Sequence, residues 1–271
     1  MRWKVIGIAF IVALAAFAQY FFLNKGKNQP ADASGNDTPS ASSTIPDVHI
    51  TDPSGGGYIV TPEPLPKDSA RQKAPDVDAI IADIVPKNDY EKLVYSYLTK
   101  ARSALREDPT NYNDWLTVGT SLKQLEKYKG ARDAWLYVAA LWPDQPVPHG
   151  NLGSLYHLYL KDFPKSEDEY KNAISLDPTQ SAWHRGLYEL YAYSYKTKTN
   201  LWEEALKAGI TQSGSIDLRV VLAERYEKLG RFTDAAALYD DALAVAEAYP
   251  NTEALVDQLI GLRAAARANI K

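Results

Sequence analysis

The chain has 271 residues, a formal net charge of -4 and an isoelectric point of about 5.6. Hydrophobic residues make up 45% of the composition and charged residues 24%, values that are typical of a globular protein. The lack of a basic excess argues against nucleic-acid binding, and the lack of cysteine excludes disulfides, thiolate metal sites and cysteine nucleophiles.

An apolar run at the amino terminus indicates export. Residues 5–23 carry no charge, only Gln19 among them is strongly polar, and basic residues flank the run on both sides. A helix of this length spans about 28 Å, close to the hydrocarbon thickness of a bilayer. We predict a single-pass transmembrane signal anchor in the cell membrane, with residues 1–4 in the cytoplasm and the rest outside it. The flanking charges favour this orientation by a small margin.

A cleaved signal peptide is the alternative interpretation of the same run. The tripeptide Ala16-Phe17-Ala18 has the small-x-small form of a cleavage site, and the preceding apolar residues are few enough for a signal-peptide core. Cleavage would release an exported soluble protein. The sequence leaves both alternatives open, and both place the remaining chain outside the cytoplasm.

Residues 24–75 are rich in Pro, Ser, Asp, Thr and Gly and show no helical period. This composition predicts a disordered linker that holds the following domain away from the membrane. The triplet Gly55-Gly56-Gly57 lacks the Lys-Ser/Thr that a phosphate-binding loop requires.

The most informative stretch predicts two short helices packed back to back. Apolar or small residues recur at helical spacing in both halves: Trp115, Val118, Gly119, Leu122, then Tyr128, Ala131, Trp135 and Val138, closed by Pro143. These residues and spacings resemble the tetratricopeptide repeat (TPR), a helix–turn–helix unit of about 34 residues. The resemblance implies neighbouring repeats, because one unit cannot bury its apolar face alone.

The aromatic-x-x-small hallmark of the second TPR helix recurs down the chain, at Tyr128/Ala131, Phe163/Ser166, Trp202/Ala205 and Phe232/Ala235. The match comes one residue late in the second unit and six residues late in the third, where we align Trp183 with Trp115. We therefore predict an all-α, TPR-like α-solenoid of about four repeats. Its segments are a degenerate helix pair at 76–110, repeats at 111–145, 146–180, 181–215 and 216–250, and a C-terminal capping helix at 251–271.

No catalytic pattern accompanies the repeats. His149 and His157 lie eight residues apart without an acidic partner at metal-ligand spacing, and no serine lies in Gly-x-Ser-x-Gly. We expect a protein that is not an enzyme and that needs no cofactor or metal.

The TPR resemblance implies a concave groove, lined by the first helices of successive repeats, that takes a peptide or helix of a partner. By position in the repeat, the groove residues are Asn113, Leu116, Thr120, Lys123, Gln124, Ser154, His157, His184, Tyr188, Tyr191, Val220, Glu224 and Glu227. The Lys, Asn and Arg that some TPR proteins use to grip a carboxylate terminus are missing. Tyr188 and Tyr191 fit either internal packing or an aromatic patch for a partner, and the sequence leaves this open.

The expected function is that of a membrane-tethered scaffold of bacterial type, which binds a protein or peptide in envelope assembly or secretion and contacts the bilayer through residues 5–23. The alternative is a non-catalytic accessory subunit that presents substrate to a membrane or cell-wall enzyme. Nucleic acid is not an expected partner.

Overall fold

The computed structural model describes residues 73–270, and within this range the chain is helical with no strand. Consecutive helices pack on one another as antiparallel pairs, so the prediction of an all-α, TPR-like solenoid is confirmed for these residues. The helices, numbered from the first one described, are α1 (Val77–Ala82), α2 (Asp89–Glu107), α3 (Tyr112–Gln124), α4 (Tyr128–Leu141), α5 (Pro146–Leu155), α6 (Phe163–Leu176), α7 (Ser181–Tyr193), α8 (Leu201–Ser213), α9 (Ile216–Lys228), α10 (Phe232–Glu247) and α11 (Glu253–Ala268).

The predicted membrane segment 5–23 and almost all of the predicted linker 24–75 lie outside the described residues. Among the helices of residues 73–270, none is both long and apolar enough to cross a bilayer. Four helix pairs follow one another, α3–α4, α5–α6, α7–α8 and α9–α10, with α1 and α2 before them and α11 after them.

Polar caps begin several helices. At the start of α2, Asn88 accepts a hydrogen bond from the Glu91 backbone N–H (2.9 Å), and the Glu91 carboxylate accepts one from the Lys87 N–H (2.8 Å). Asn111 caps α3 in the same way. Asn200, which precedes α8, accepts hydrogen bonds from the Glu203 and Glu204 N–H groups through its backbone carbonyl instead of its side chain.

Two irregularities explain why the second and third repeats match the TPR pattern late. Tyr156–Leu160 continues α5 as a π-helical turn, which adds one residue before Lys161 ends it in the left-handed region. In the third repeat, α7 ends at Tyr193 and α8 starts at Leu201, so residues 194–200 form a long turn. The delay in the third repeat therefore comes mainly from this long turn, because α3 and α7 both have 13 residues.

Glycine allows the closest helix contacts. A Cβ atom on Gly119 would lie 2.6 Å from Cδ1 of Trp135, a ring that is only 1% exposed. Tyr170 on α6 lies between two more glycines, because Cβ atoms on Gly153 and Gly186 would lie 2.7 Å from its Cδ1 and 2.6 Å from its hydroxyl. Any side chain at these positions would push the helices apart.

The buried apolar side chains form two clusters that meet inside the second repeat. One runs from Val77 to Tyr156, and the other from Tyr170 to Ala266. At this contact the Tyr170 ring of α6 packs against Gly153 of α5, and the fully buried Ser166 hydroxyl donates to the Gly153 carbonyl (2.8 Å). The helices are therefore closely packed here, although the buried apolar side chains on the two sides form separate clusters.

Candidate partner-binding surface

The register of α7 is fixed by a hydrogen bond that recurs in the first repeat. Trp115 Nε1 donates to the carbonyl of Pro109 (2.9 Å), and His184 Nε2 lies at the same distance from the carbonyl of Pro178. Because a carbonyl only accepts, Nε2 carries the proton of His184. His184 therefore takes the place of Trp115, which corrects the alignment of Trp183 with that residue.

This one-residue correction moves three predicted groove residues into the core. His184 is 1% exposed, and Tyr188 and Tyr191 are also buried. The Tyr191 hydroxyl donates to the Glu167 carboxylate (2.7 Å), and the Tyr188 hydroxyl is 3.0 Å from that of Tyr193. Their main contacts are internal, which is the packing interpretation of the tyrosines. A role for them in partner binding stays a prediction.

The side chains that α7 presents to solvent lie one residue further along. Arg185 is exposed and its Nη1 lies 2.8 Å from a carboxylate oxygen of Asp217 on α9, while its Nε lies 3.2 Å from Glu189. Tyr193 is 58% exposed. Arg185 and Glu189 thus occupy the places that the repeat pattern assigned to His184 and Tyr188, whereas the place assigned to Tyr191 falls on the buried Ala192.

In the first repeat, the predicted residues lie at different depths. Asn113 and Gln124 are exposed, Thr120 and Lys123 are half-buried, and Leu116 is buried. Burial lowers the pKa of the Lys123 ammonium.

In the second repeat, Ser154 is half-buried and His157 is buried in the π-helical turn. His157 Nε2 lies 2.9 Å from the hydroxyl of Ser194, in the long turn after α7. Burial, and to a smaller extent the charge of Lys161, lowers the pKa of His157. This contact joins the end of one first helix to the end of the next.

The fourth repeat gives the face an acidic end. Val220 and Glu227 are half-buried and Glu224 is exposed. Neither glutamate forms an ion pair with any of residues 73–270. Burial raises the pKa of Glu227, and the charge of Glu224 raises it further. A cationic side chain placed here would relieve both effects.

Sequence reasoning missed a buried carboxylate between the second and third repeats. The acidic run that contains Glu167 suggests a solvated helix face, but the Glu167 side chain is only 7% exposed. Its oxygens accept hydrogen bonds from Lys171, Lys196 and Tyr191, each 2.7 Å long. Burial alone would raise its pKa, but these donors outweigh that effect and lower the pKa of Glu167 to about 2.

His149, which the sequence analysis paired with His157, has its Nδ1 atom 2.7 Å from a carboxylate oxygen of Glu169. Within residues 73–270, no group of three His, Cys, Asp or Glu side chains is placed to hold a metal ion.

No protein-family model matches the chain. It is similar to tetratricopeptide repeat protein 37 of Xenopus laevis, with 24% identity over 190 residues, covering 63% of this chain and 12% of that protein. The matched part is thus a small fraction of a much longer TPR protein. This match supports the resemblance to the TPR family, in agreement with the helix pairs.

Two solved structures are also similar. A thermophilic TPR protein of Thermus thermophilus has a TM-score of 0.45 and 20% identity, covering 60% of this chain and 88% of that one. PilW, a type IV pilus biogenesis factor, has a TM-score of 0.44 and 17% identity, and the match covers 68% of this chain and 91% of PilW. Since both TM-scores are below 0.5, the role of PilW is stated of that protein alone.

Proposed function

We propose that this chain is a non-catalytic scaffold that binds a peptide or helix of a partner protein along the first helices of its repeats. The observation that carries the proposal is the character of these helices. Except for Ala182, their exposed residues are polar or aromatic, and Glu224 and Glu227 have no ionic partner among residues 73–270. Tyrosine and arginine, both present on α7, are favoured at protein interfaces.

The charge of this face defines the partner in part. Arg185 is already bound by Asp217 and Glu189, so it is not free for a carboxylate terminus. The two glutamates of α9 favour a partner segment with a Lys or Arg at that end and polar or apolar residues elsewhere. An acidic tail would meet like charge.

The partner can be trapped with a photo-crosslinking amino acid at Val220 in the full chain, expressed in its own cells. We expect one discrete adduct from Val220 and none from a matched probe at Ala208, an exposed residue of α8. Glu224→Lys/Glu227→Lys should weaken adduct formation at least tenfold, because it turns attraction into repulsion. Glu204→Lys/Glu247→Lys is the control with equal charge change.

Two results would contradict binding on this face. One is equal adduct formation from Val220 and Ala208, and the other is adduct formation that Glu224→Lys/Glu227→Lys leaves unchanged. An adduct with a hydrolase or synthase would favour the accessory-subunit alternative over a general assembly scaffold.

We further propose that residues 5–23 tether the chain to the cell membrane, with the repeats on the extracytoplasmic side. The apolar run and the polar stretch 24–75 support this placement. Protease added to intact cells should cut within residues 24–75 and release the repeats, while a cytoplasmic marker stays whole. A chain that is cut only after lysis would refute the orientation.

A further inference from the structure

The two edges of the solenoid carry opposite charge. Because the helices alternate in direction, every turn from the first to the second helix of a repeat lies at one edge, and every turn between repeats lies at the other. We compare the turns together with the two helical residues on either side. In the four repeats the first edge contains Lys123, Lys127, Lys129, Lys161, Lys196, Lys198, Lys228 and Arg231 against Glu126, Asp162 and Glu227. The turn from α1 to α2, which precedes the repeats, adds Lys87 against Asp83 and Asp89. The second contains Glu107, Asp108, Asp144, Asp177, Asp217, Glu247 and Glu253 against Arg106 alone.

Helix capping does not explain this asymmetry. Basic residues favour helix C-termini and acidic residues favour N-termini, but each edge contains both kinds of terminus. If the charged residues served only to stabilise helix ends, the two edges would therefore carry similar charge. Both edges also carry exposed apolar side chains, such as Tyr159 and Leu229 on the first and Trp142 and Tyr249 on the second. The sign of the charge is what distinguishes them.

Several cations of the first edge have no ionic partner within the described residues 73–270. Lys196 and Arg231 bind carboxylates of neighbouring helices. We call this first edge the basic edge. Its other exposed lysines form no ion pair within residues 73–270; they are Lys127, Lys129, Lys161, Lys198 and Lys228.

The turns of the basic edge are in contact from one repeat to the next. The rings of Tyr128 and Tyr159 are 4.6 Å apart, and those of Phe163 and Tyr195 are 6.2 Å apart. The guanidinium of Arg225 lies 5.6 Å from the ring of Tyr193. The lysines therefore stand along one connected row of turns, with exposed tyrosine and leucine among them.

We propose that the basic edge docks on an anionic lipid surface. Its lysines are spread over four turns instead of converging on a pocket, which suits a surface that offers negative charge everywhere. Lysine with tyrosine and leucine is also the composition of segments that lie in the membrane interface. Each lysine near such a surface contributes about fivefold in affinity. The proposed anchor at residues 5–23 would raise the local concentration of this edge at the bilayer. In the docked state the repeats would lie on the membrane instead of being held away from it by residues 24–75.

The chain contains no cysteine, so a single fluorophore can be placed at will. The experiment uses the full chain reconstituted in vesicles of phosphatidylcholine, with or without phosphatidylglycerol. The vesicles contain a short-range quencher attached to the lipid headgroups, so that insertion of residues 5–23 by itself quenches neither label. The label is placed at Thr197→Cys on the basic edge or at Gln145→Cys on the opposite edge, both exposed positions. We expect the fluorophore at position 197 to be quenched by vesicles that contain phosphatidylglycerol, and the fluorophore at position 145 to stay unquenched. High salt should abolish the quenching at position 197.

Lys129→Gln/Lys198→Gln should lower the affinity for phosphatidylglycerol vesicles about 25-fold, because each of the two lysines contributes about fivefold. Lys92→Gln/Lys100→Gln removes the same charge from α2 and should change the affinity for the vesicles by less than threefold.

Equal quenching of both labels, quenching by neutral vesicles, or no effect of Lys129→Gln/Lys198→Gln would overturn the proposal. Binding of polyglutamate through these lysines, with neither label quenched by phosphatidylglycerol, would overturn it in favour of an acidic protein partner. None of these outcomes depends on crosslinking at Val220, so the partner-binding proposal stands or falls separately.

Discussion

Glu167→Gln is expected to lower the free energy of unfolding by roughly 3 kcal/mol near neutral pH. The carboxylate is buried and holds Lys171 from its own helix together with Tyr191 and Lys196 from the next repeat. Glutamine keeps the shape but removes the charge that these donors stabilise, and it turns an amide N–H₂ toward them. Urea unfolding at pH 7 measures the loss.

The pH dependence gives this prediction a sign. The folded-state pKa of Glu167 is depressed to about 2, below its ordinary value of 4.5. Its stabilisation is therefore complete above about pH 5 and is lost as the pH falls toward 2. The native chain should lose stability over this range more steeply than Glu167→Gln. Glu204→Gln, an exposed control on α8, should follow the native curve, and parallel curves for the native chain and Glu167→Gln would refute the assignment.

Gly119→Ala is expected to cost about 2–3 kcal/mol of stability, although alanine is the better helix former. The new methyl group would meet the Trp135 ring, which is fully buried and has no room to move. The matched control is Gly261→Ala on α11. A Cβ atom there has no neighbour within 4 Å in the part of the chain that the structure describes, so this change should stabilise the chain by about 0.5–1 kcal/mol.

A double-mutant cycle separates the steric clash from other effects. Trp135→Leu is destabilising by itself, but it removes the ring that the new methyl group would strike. In that background Gly119→Ala should cost less than about 1 kcal/mol. If the cost were the same in both backgrounds, the contact with Trp135 would not be the reason for glycine at this position. Urea unfolding of the four variants measures the cycle.

The helix pairs were predictable because they rest on local patterns. The spacing of Trp115, Gly119 and Trp135 predicts two packed helices, and the structure brings Gly119 against the Trp135 ring. The one-residue delay before Phe163 was visible too, but its cause, a π-helical turn, depends on hydrogen bonding that composition does not reveal.

The candidate surface was harder to predict, because register decides which side chains face out. Aligning the aromatic residue Trp183 with Trp115 shifted the third repeat by one position. The Asp-Pro dipeptides that end the preceding helices would have corrected it, since Pro109 and Pro178 lie equally far before Trp115 and His184. The Glu167 network has no such marker, because its donors Tyr191 and Lys196 come from a distant part of the sequence.

The division of the buried apolar side chains into two clusters has a mechanical consequence. If the chain is pulled from its ends, the load passes through the contact of α5 with α6, which includes the Ser166–Gly153 hydrogen bond and the packing of Tyr170 on Gly153. The two apolar clusters on either side each retain their own packing. We therefore expect rupture in two steps, with an intermediate in which one half of the solenoid is still intact.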